Sequence, residues 1–464
     1  MEEKTQAKKK VFELTEDFVS SLRELIDNKD EVKAKSLLEN LHAADIAEIY
    51  DVINIEEAKF LYLILDEETA ADVIAELDDD DREKFLEALP SSLIAKQFIK
   101  EMDSDDAADV IGEMSEERQE EILSEIEDHE QAGDIVDLLS YDEDTAGGLM
   151  AKELVSINQN LSVKRSLVEL RLHAQNVDEI YYIYVIDDRD CLVGTLSLKK
   201  LLLSDEKQDI KSIQNEDVIF VKTDTDNEEV AKVMKKYDLV ALPVIDNIGR
   251  LKGRITIDDV VDVIQEEAEK DYQMISGITE DVESDDSVYK LTRARFPWLL
   301  IGLFGGIIGA WVIGYFESDI SKYAGLAMFL PLIAAMGGNA GVQSSSIIVQ
   351  GIANRSITKG GFGKRLIKEL SVSLLNGISL SILIFSYNYF FSDSYALTLS
   401  VSIALFIVII FASLFGTIVP LILDKYEIDP ALATGPFITT VNDIMGLLIY
   451  LSISRVIFDI IIIV

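Results

Sequence analysis

The spacing of apolar residues changes twice along the chain and separates three regions. Across residues 11–141, apolar positions recur every three or four residues, as at Ile46, Ile49 and Ile53, and this spacing predicts amphipathic helices. A short pattern, Ala-Ala-Asp-Ile/Val, occurs three times here, at 43–46, 70–73 and 107–110. Because the three copies are unequally spaced, they indicate a degenerate solenoid of short helices rather than a strict repeat.

Residues 142–270 show the alternating pattern of short β-strands. The runs 181–186 and 240–245 alternate in this way, and each is followed by a turn, a second short strand and a helix. The segment 184–202 aligns with 243–261 at a constant offset of 59 residues. The matched pairs include Asp187 with Asp246, Leu192 with Leu251 and Gly194 with Gly253. The pattern predicts a tandem repeat of one β-turn-β-α unit.

Five long apolar segments fill the remainder of the chain. They cover residues 298–316, 324–352, 367–391, 397–422 and 433–458. Each is long enough for a helix to cross about 30 Å of hydrocarbon. Five membrane spans are therefore predicted.

Basic residues beside the spans predict their orientation. Arg293 and Arg295 precede the first span, whereas the short loops 317–323 and 392–396 hold only Lys322 between them. The loop after the second span carries five basic residues, Arg355, Lys359, Lys364, Arg365 and Lys368. Because basic loops stay in the cytosol, the N-terminal half is expected to be cytosolic and the C-terminus to lie outside. The start, MEEKTQAKKK, has no hydrophobic run, so no signal peptide is expected.

Charge is concentrated in the part of the chain before the spans. The protein has 84 acidic and 42 basic residues, and residues 1–290 carry a net charge of −43. Such a surface is expected to repel nucleic acid and anionic lipid and to attract metal cations. Simple solubility or salt adaptation is the alternative explanation.

The metal chemistry available to this chain uses oxygen ligands. Cys191 is the single cysteine, the three histidines are far apart, and no HExxH spacing occurs. Oxygen ligands favour hard ions such as magnesium, calcium or manganese. No nucleophile–base pair and no phosphate-binding glycine loop appears either, so an enzyme is not expected.

One carboxylate, Asp443, lies deep in the fifth span. An ionised acid at that depth is costly unless it faces water, an ion or a partner. The neighbours Thr439, Thr440 and Asn442 add polar groups that suit a hydrated magnesium ion. Asp429 lies 14 residues before Asp443, about 21 Å along a helix, at the expected cytosolic mouth. Two copies about a two-fold axis would pair the carboxylates, so a homodimer is expected.

The second span, with the sequence PLIAAMGGNAGVQSSS, is rich in glycine and polar residues. Asn339 and Gln343 are its candidate pore-lining residues, because irregular or polar helix at membrane depth is tolerated where it lines a water-filled path. Packing of small residues between helices is the alternative for its glycines.

Acidic residues also line one face of the predicted helix after the second repeat. They are Asp259, Asp262, Glu266 and Glu269, and Glu267 flanks them. Like charges so close together destabilise a helix, and a bound cation would remove that penalty. In the N-terminal region Asp105 and Asp109 lie one turn apart. A merely solvated helix face is the alternative in both places.

The tandem repeat resembles a pair of CBS domains, a regulatory module that often binds adenosine nucleotides. The nucleotide pattern Gly-x-x-Ser/Thr-x-x-Asp is present in the second repeat as Gly253, Thr256 and Asp259. The first repeat has Gly194 and Ser197 but Lys200 in place of the acid. ATP is therefore a possible but doubtful ligand of the pair.

The whole chain resembles the MgtE-type magnesium channels, through its acidic helical region, CBS repeats and the motifs GGNAGVQ and DPALATGPFITTVNDI. The resemblance implies a homodimeric, magnesium-selective channel in the cell membrane that closes when cytosolic Mg²⁺ is high. It implies Asp443 as the selectivity acid, with Asp429 as its cytosolic companion. The implied sensor ligands are Asp259, Asp262 and Glu267 on the linking, or plug, helix, Asp226, Glu228 and Asp238 in the second repeat, and Asp105 and Asp109 in the N-domain. Lys270 stands near a position where the family has an acid.

The predicted architecture is multidomain, and its parts follow from these patterns. They are an all-α helical-solenoid N-domain (1–141), an α/β tandem CBS pair (142–204 and 205–265), a long linking helix (266–290) and a five-helix α transmembrane domain (291–464). Two other functions fit the same features. One is a coupled transporter of another divalent cation such as Co²⁺ or Mn²⁺, and the other is a nucleotide-sensing membrane receptor, which would have no need of a buried acid.

Overall fold

The chain folds into two units, Met1–Ile264 and Gln265–Val464. The computed structural model describes residues 12–50, 52–77, 79–173, 177, 179–280, 282, 286–353, 362–426, 428–433 and 435–463. The basic residues Arg355 and Lys359 lie outside the described residues.

The N-terminal part of the first unit is helical, as predicted. Its helices are α1 (Glu16–Asp27), α2 (Glu31–Leu38), α3 (Ala43–Tyr50), α4 (Ile55–Ile64), α5 (Glu67–Ala75), α6 (Asp79–Glu87), α7 (Ser91–Ile94), continued by a π-helical turn Ala95–Ile99, α8 (Ser104–Gly112), α9 (Glu116–Glu125) and α10 (His129–Leu138). Many acidic or amide residues begin these helices because they accept bonds from free backbone N–H groups. Asn54 and Glu57, for example, form a reciprocal capping box on α4.

Aromatic and aliphatic side chains from successive helices form the core of this region. The Tyr62 ring packs 4.5 Å from the Phe98 ring and 5.4 Å from the Phe85 ring, measured between centroids. All three side chains are buried. The three-to-four-residue spacing therefore marks the faces of short helices that pack on one another.

Two three-stranded sheets follow in the first unit, and they have the same topology. The first repeat contains β1 (Val155–Asn158), α11 (Val163–His173), β2 (Ile183–Ile186), β3 (Leu192–Leu196) and α12 (Leu198–Leu203), and the second contains β4 (Val221–Lys222), α13 (Asn227–Tyr237), β5 (Ala241–Ile245), β6 (Leu251–Thr256) and α14 (Ile257–Ser276). In each sheet the first strand pairs in parallel with the second, and the second pairs antiparallel with the third. The predicted repeat is thus present in three dimensions.

The two repeats contact each other through equivalent residues. Leu192 N–H donates to the Gly249 carbonyl and Leu251 N–H donates to the Asp190 carbonyl, both at 3.0 Å. These two bonds are related by the same 59-residue offset that relates the sequences. The pair therefore has internal two-fold symmetry at this contact.

The second unit holds the predicted membrane spans. Its helices are α15 (Val288–Tyr315), α16 (Glu317–Lys322), α17 (Leu330–Ala353), α18 (Phe362–Phe391), α19 (Tyr395–Lys425) and α20 (Gly435–Ile463), with short 3₁₀ helices at Ala324–Phe329 and Pro430–Ala433. Five helical stretches are long and apolar enough to cross a membrane, Val288–Tyr315, Ala324–Ala353, Phe362–Phe391, Tyr395–Lys425 and Gly435–Ile461. The five-span prediction is confirmed.

Glycines let four of these helices approach closely. A Cβ on Gly341 of α17 would overlap the Asn442 amide of α20, and a Cβ on Gly416 of α19 would overlap the Gly341 carbonyl. Gly305 of α15 is similarly close to the Thr440 methyl group. Because association in lipid depends on close packing, these glycines fix the positions of the helices.

We expect Gly341→Ala to destabilise the membrane unit by about 1–3 kcal/mol through overpacking, since the new Cβ would also lie 2.8 Å from Ile438 Cγ2. Gly306→Ala on α15 is the matched control, because no described atom from outside its own helix turn lies within 4 Å of that Cβ position. Thermal unfolding midpoints in detergent compare the two variants. Equal midpoints would contradict the close approach at Gly341.

Candidate functional site

The polar residues of α20 are held against the glycine-rich stretch of α17. A Cβ on Gly338 would lie 3.2 Å from Thr439 Cγ2 and 3.4 Å from Asp443 Oδ1. Thr439, Thr440 and Asp443 are each partly exposed in the single chain. The absence of a side chain at Gly338 therefore makes room for the carboxylate at membrane depth.

Asn339 and Gln343 lie one turn apart on α17, and both side chains are exposed in the single chain. Exposed amides are costly in hydrocarbon, so this face must meet water or another protein surface. Asn442, by contrast, is only 1% exposed and packs against Gly341. Asn442 is therefore buried, whereas Thr439, Thr440 and Asp443 on the same helix are partly exposed.

Asp429 lies immediately before the polar stretch of α20. Its side chain is exposed, and Oδ1 accepts a 2.8 Å bond from Ala431 N–H. It thereby caps the 3₁₀ turn Pro430–Ala433 that leads into α20. One carboxylate oxygen is used for the cap, while the group remains open to solvent.

An acid at the start of the third span, Glu369 on α18, was missed by sequence reasoning. Ser344 of α17 donates a 2.6 Å bond to Glu369 Oε1 and also contacts the Ala340 carbonyl at 3.0 Å. The signal was available, because Glu369 falls inside the predicted third span, 367–391. The bond joins α18 to the polar half of α17.

The end of α14 touches the beginning of α20. A Cβ on Gly435 would overlap the Ile275 carbonyl, and a Cβ on Gly277 would lie 2.6 Å from Pro436 Cγ. Both glycines have positive φ, +50° for Gly435 and +83° for Gly277, a conformation that other residues adopt with strain. These two glycines thus allow the end of α14 to contact α20, the helix that carries Asp443.

In the first unit, the start of α8 forms an acidic cluster with the segment before β1. One carboxylate oxygen from each of Asp103, Asp105 and Glu153 lies within 4.8 Å of the others. Ser104 holds Glu153 in place, since its N–H and hydroxyl donate to the two Glu153 oxygens at 3.2 and 2.8 Å. Asp105 Oδ1 is buried and accepts no bond among the described residues.

Asp103 and Glu153 were not predicted as site residues. Asp103 lies two residues before Asp105, whereas Glu153 comes close to it only because the chain returns to α8 some 48 residues later, where Lys152 N–H donates to the Ser104 hydroxyl at 2.9 Å. No local pattern in the sequence indicates that contact.

Burial and mutual repulsion raise the pKa values of the α8 carboxyls. Burial, followed by the charges of Asp106 and Asp259, raises the pKa of Asp105 well above its ordinary value. The pKa of Asp106 rises to about 7 through burial and the charges of Asp103 and Asp259. The pKa of Asp109 also rises to about 7, through burial and the charge of Asp106. Ionising these groups is therefore unfavourable, and a cation nearby would reduce that cost.

Asp259 links this cluster to α14. Its Oδ2 accepts bonds from Thr256 N–H at 2.9 Å and from the Thr256 hydroxyl at 2.7 Å, so it helps to cap α14. Burial nevertheless raises its pKa, and burial also raises the pKa of Asp262, with a contribution from Asp258. Farther along α14, Glu267 forms an ion pair with Lys270 at 3.2 Å.

The other predicted sensor acids lie at the two ends of α13. Asp226 caps its N-terminus by accepting from Glu228 N–H at 3.0 Å, and Glu228 pairs with Lys232. Asp238 follows the C-terminus with φ of +52°. About 16 Å of helix separates the ends, so the structure does not bring these three acids together.

The CBS pair also holds a buried arginine. Arg254 is 7% exposed, donates a 2.8 Å bond to the Glu179 carbonyl and lies 5.7 Å from the Tyr181 ring centroid. Its Nε and the nearby Tyr184 hydroxyl are buried without a described partner. In the first repeat, Lys200 N–H bonds to the Ser197 hydroxyl at 3.3 Å as part of a helix cap.

Comparison with known proteins identifies the family. The model for MgtE, a divalent cation transporter, matches residues 330–453, the MgtE intracellular N domain matches 41–144 and the CBS domain matches 210–266. The magnesium transporter MgtE of Thermus thermophilus is 33% identical over 450 residues, covering 96% of this chain and 100% of that protein. The chain belongs to the MgtE family.

Two further relatives support this membership. The magnesium transporter MgtE of Bacillus subtilis is 34% identical over 317 residues, which cover 68% of this chain and 70% of that protein. A crystal structure of the cytosolic domain of the Mg²⁺ channel MgtE in complex with ATP is 33% identical, with a TM-score of 0.50, and covers 53% of this chain and 99% of that one. The predicted MgtE resemblance and multidomain fold are confirmed, and the MgtE family consists of membrane transporters.

The raised pKa values of the α8 carboxyls predict how the stability of α8 depends on pH. The pKa values of Asp106 and Asp109 rise from an ordinary 3.8 to about 7, so the folded state binds protons more tightly between those values. Stability at α8 without divalent cations should therefore fall as the pH rises from about 4 to 7. Millimolar Mg²⁺ at pH 7.5 should restore it. Hydrogen exchange of α8 peptides in the full-length protein, corrected for intrinsic rates, measures both effects.

Asp105→Asn should slow α8 exchange without Mg²⁺ roughly fivefold, as about 1 kcal/mol of relieved repulsion would. It should also reduce the further protection that Mg²⁺ gives. Glu117→Gln, an exposed acid on α9, is the control and should change neither. Identical protection by Mg²⁺ and by sodium at matched ionic strength would reduce the effect to screening.

Proposed function

We propose that this protein is a homodimeric, magnesium-selective channel that closes when cytosolic Mg²⁺ binds its acidic soluble domains. The observation that carries the proposal is Asp443, a partly exposed carboxylate at membrane depth beside Thr439 and the glycine stretch of α17. A helix that served only as an anchor would have no need of this acid. The receptor alternative is disfavoured for that reason.

Magnesium gives up its inner water molecules reluctantly, so a suitable filter contacts the hydration shell. Asp443 provides the charge, and Thr439 and Thr440 provide hydroxyl groups nearby. Asn339 and Gln343 extend the polar surface along α17. Asp429, exposed six residues before α20, would concentrate cations at the mouth.

The exposed amides of Asn339 and Gln343 favour a second copy of the chain. Two copies about a two-fold axis would enclose these polar faces, and they would pair the Asp443 carboxylates across one path. We place the N-terminal end of α15 in the cytosol, together with the other span ends that carry basic residues, and the C-terminus outside. The basic residues at these ends are Arg293, Arg295, Lys364, Arg365 and Lys368.

The proposed regulation follows from acids of α8 and α14 whose charges raise one another's pKa values. At low Mg²⁺ the carboxylates of Asp105, Asp106 and Asp259 repel one another, and Mg²⁺ would favour the state in which they are close. Helix α14 carries Asp259 at its start and meets Gly435 and Pro436 of α20 at its end. A change in the position of α14 can therefore reach the helix that bears Asp443.

Lys270 offsets part of the negative charge of α14. Because it already pairs with Glu267, we propose that this part of α14 is compensated by a lysine and contributes less to Mg²⁺ sensing than Asp259 and Asp262. The separated acids Asp226, Glu228 and Asp238 would act, if they bind Mg²⁺, at two different places on α13.

ATP is the second proposed ligand, at the CBS pair. The MgtE cytosolic domain solved with ATP supports this assignment, as does the buried Arg254, which has an aromatic ring beside it and a free Nε. Lys200 replaces the ribose acid of the first repeat, so the second repeat would hold the nucleotide. A coupled transporter of Co²⁺ or Mn²⁺ is the rival that ion competition tests.

Asp443→Ala should abolish Mg²⁺ uptake into liposomes that contain the purified protein, while expression and dimerisation stay normal. Asp443→Asn should keep a water-binding oxygen but lose the preference for divalent over monovalent cations. Asp393→Asn, an exposed loop acid, is the control and should leave uptake unchanged. Wild-type uptake by Asp443→Ala would refute the pore assignment, and inhibition by Co²⁺ or Mn²⁺ at concentrations far below Mg²⁺ would favour the rival.

Neutralising the start of α14 by Asp259→Asn with Asp262→Asn should leave conduction intact and weaken closure by cytosolic Mg²⁺. The physical reason is that these acids repel one another, so they stabilise the closed state only when a bound cation offsets their repulsion. Open probability against cytosolic Mg²⁺ in membrane patches measures the effect, with Glu117→Gln as the control. If the double-variant and wild-type curves superimpose, the two acids form only a solvated face.

A further inference from the structure

The buried amide of Asn442 has no role in the proposed path, although it directly precedes Asp443. The side chain is 1% exposed, and both its Nδ2 and Oδ1 lack a hydrogen-bond partner among the described residues. An amide buried without partners is strongly disfavoured, most of all at membrane depth. Its retention requires a polar ligand.

Two further polar groups are buried close to the same helix crossing. Ser345 lies one turn from Gly341 on α17, and Thr417 follows Gly416 on α19. Both side chains are 0% exposed, and their hydroxyl oxygens also lack a described partner. The Gly341 backbone itself contacts the Asn442 amide on one side and Gly416 on the other. Buried polar side chains on three helices therefore lie within about one turn of the contacts that Gly341 makes.

We propose that Asn442 binds an ordered water molecule enclosed between α17, α19 and α20, and that Asn442 is thereby a positioning residue for Asp443. A water molecule makes two to four hydrogen bonds in such sites, which matches an amide and neighbouring hydroxyl groups. The proposal rests on the proposed function, since it assumes that Asp443 contacts the transported ion.

The ligand fixes the rotation of α20 about its own axis. Asn442 and Asp443 are adjacent, so their side chains leave the helix about 100° apart. With the amide bound toward α17 and α19, the carboxylate points along the Gly338 side, where its Oδ1 approaches the glycine. Gly341 must lack a side chain for this arrangement, because a Cβ there would occupy the position of the Asn442 amide.

Three variants of the full-length protein in liposomes test this role. Asn442→Leu keeps the shape but removes the polar groups, and it should lose Mg²⁺ uptake and the preference for Mg²⁺ over Ca²⁺. Asn442→Ser keeps a water-binding hydroxyl and should retain the preference. Asn388→Leu is the matched control, because Asn388 of α18 is also 1% exposed with an unpartnered Nδ2; it should retain both properties.

Stability gives a readout that does not depend on transport. If water satisfies the amide, Asn442→Leu should lower the melting temperature relative to Asn442→Ser, because the buried hydroxyls lose their shared partner. A higher melting temperature for Asn442→Leu with wild-type ion preference overturns the proposal. If the wild-type protein transports no Mg²⁺, the proposed function fails. The water site is still decided by the melting temperatures and by a high-resolution density map of the wild-type protein.

In that map, density within about 3 Å of the Asn442 amide supports the site. A direct bond from the amide to a neighbouring side chain, with no such density, overturns it. The map of the wild-type protein decides the matter even if Asn442→Leu does not fold.

Discussion

Carboxylates held close together and partly away from water are the interaction on which the proposed behaviour of this protein depends. Asp103, Asp105 and Glu153 bring oxygens within 4.8 Å of one another, and burial and repulsion raise the pKa of Asp105. Such a group stores unfavourable electrostatic energy that a divalent cation removes far better than monovalent salt does. Under the proposed function, binding of the ion and the conformation of the soluble unit would consequently be linked.

Built-in cations divide the acids into two classes. Burial alone would raise the pKa of Asp137, but Lys152 at 2.6 Å and Lys252 at 3.7 Å lower it below its ordinary value. Arg82 similarly pairs with Glu113. These pairs are compensated without an added ion, whereas the α8 cluster is the site at which we propose that Mg²⁺ binds. The net charge of −42 alone does not distinguish the two classes.

In the membrane unit the same constraint acts through helix packing. Polar residues remain at that depth because glycines give them space, as Gly338 does for Asp443 and Gly341 does for Asn442. The Ser344–Glu369 bond of 2.6 Å supplies a partner for an acid at the start of the third span. In the proposed cation path, the polar groups and the close packing of α17, α19 and α20 are therefore parts of one arrangement.

The sequence by itself determined the periodic and compositional features: the helical N-domain, the 59-residue repeat, the five spans and the acid inside the last span. These follow from local patterns, because burial of one helix face or strand face dictates the spacing of apolar residues. The tertiary structure decided which acids meet. Glu153 joins Asp105 from a distant segment, Asp226 and Asp238 are kept apart by α13, and Asn442 turns inward while its neighbour Asp443 stays partly exposed. Those outcomes depend on helix rotation and on contacts between segments far apart in the chain, which no local pattern encodes.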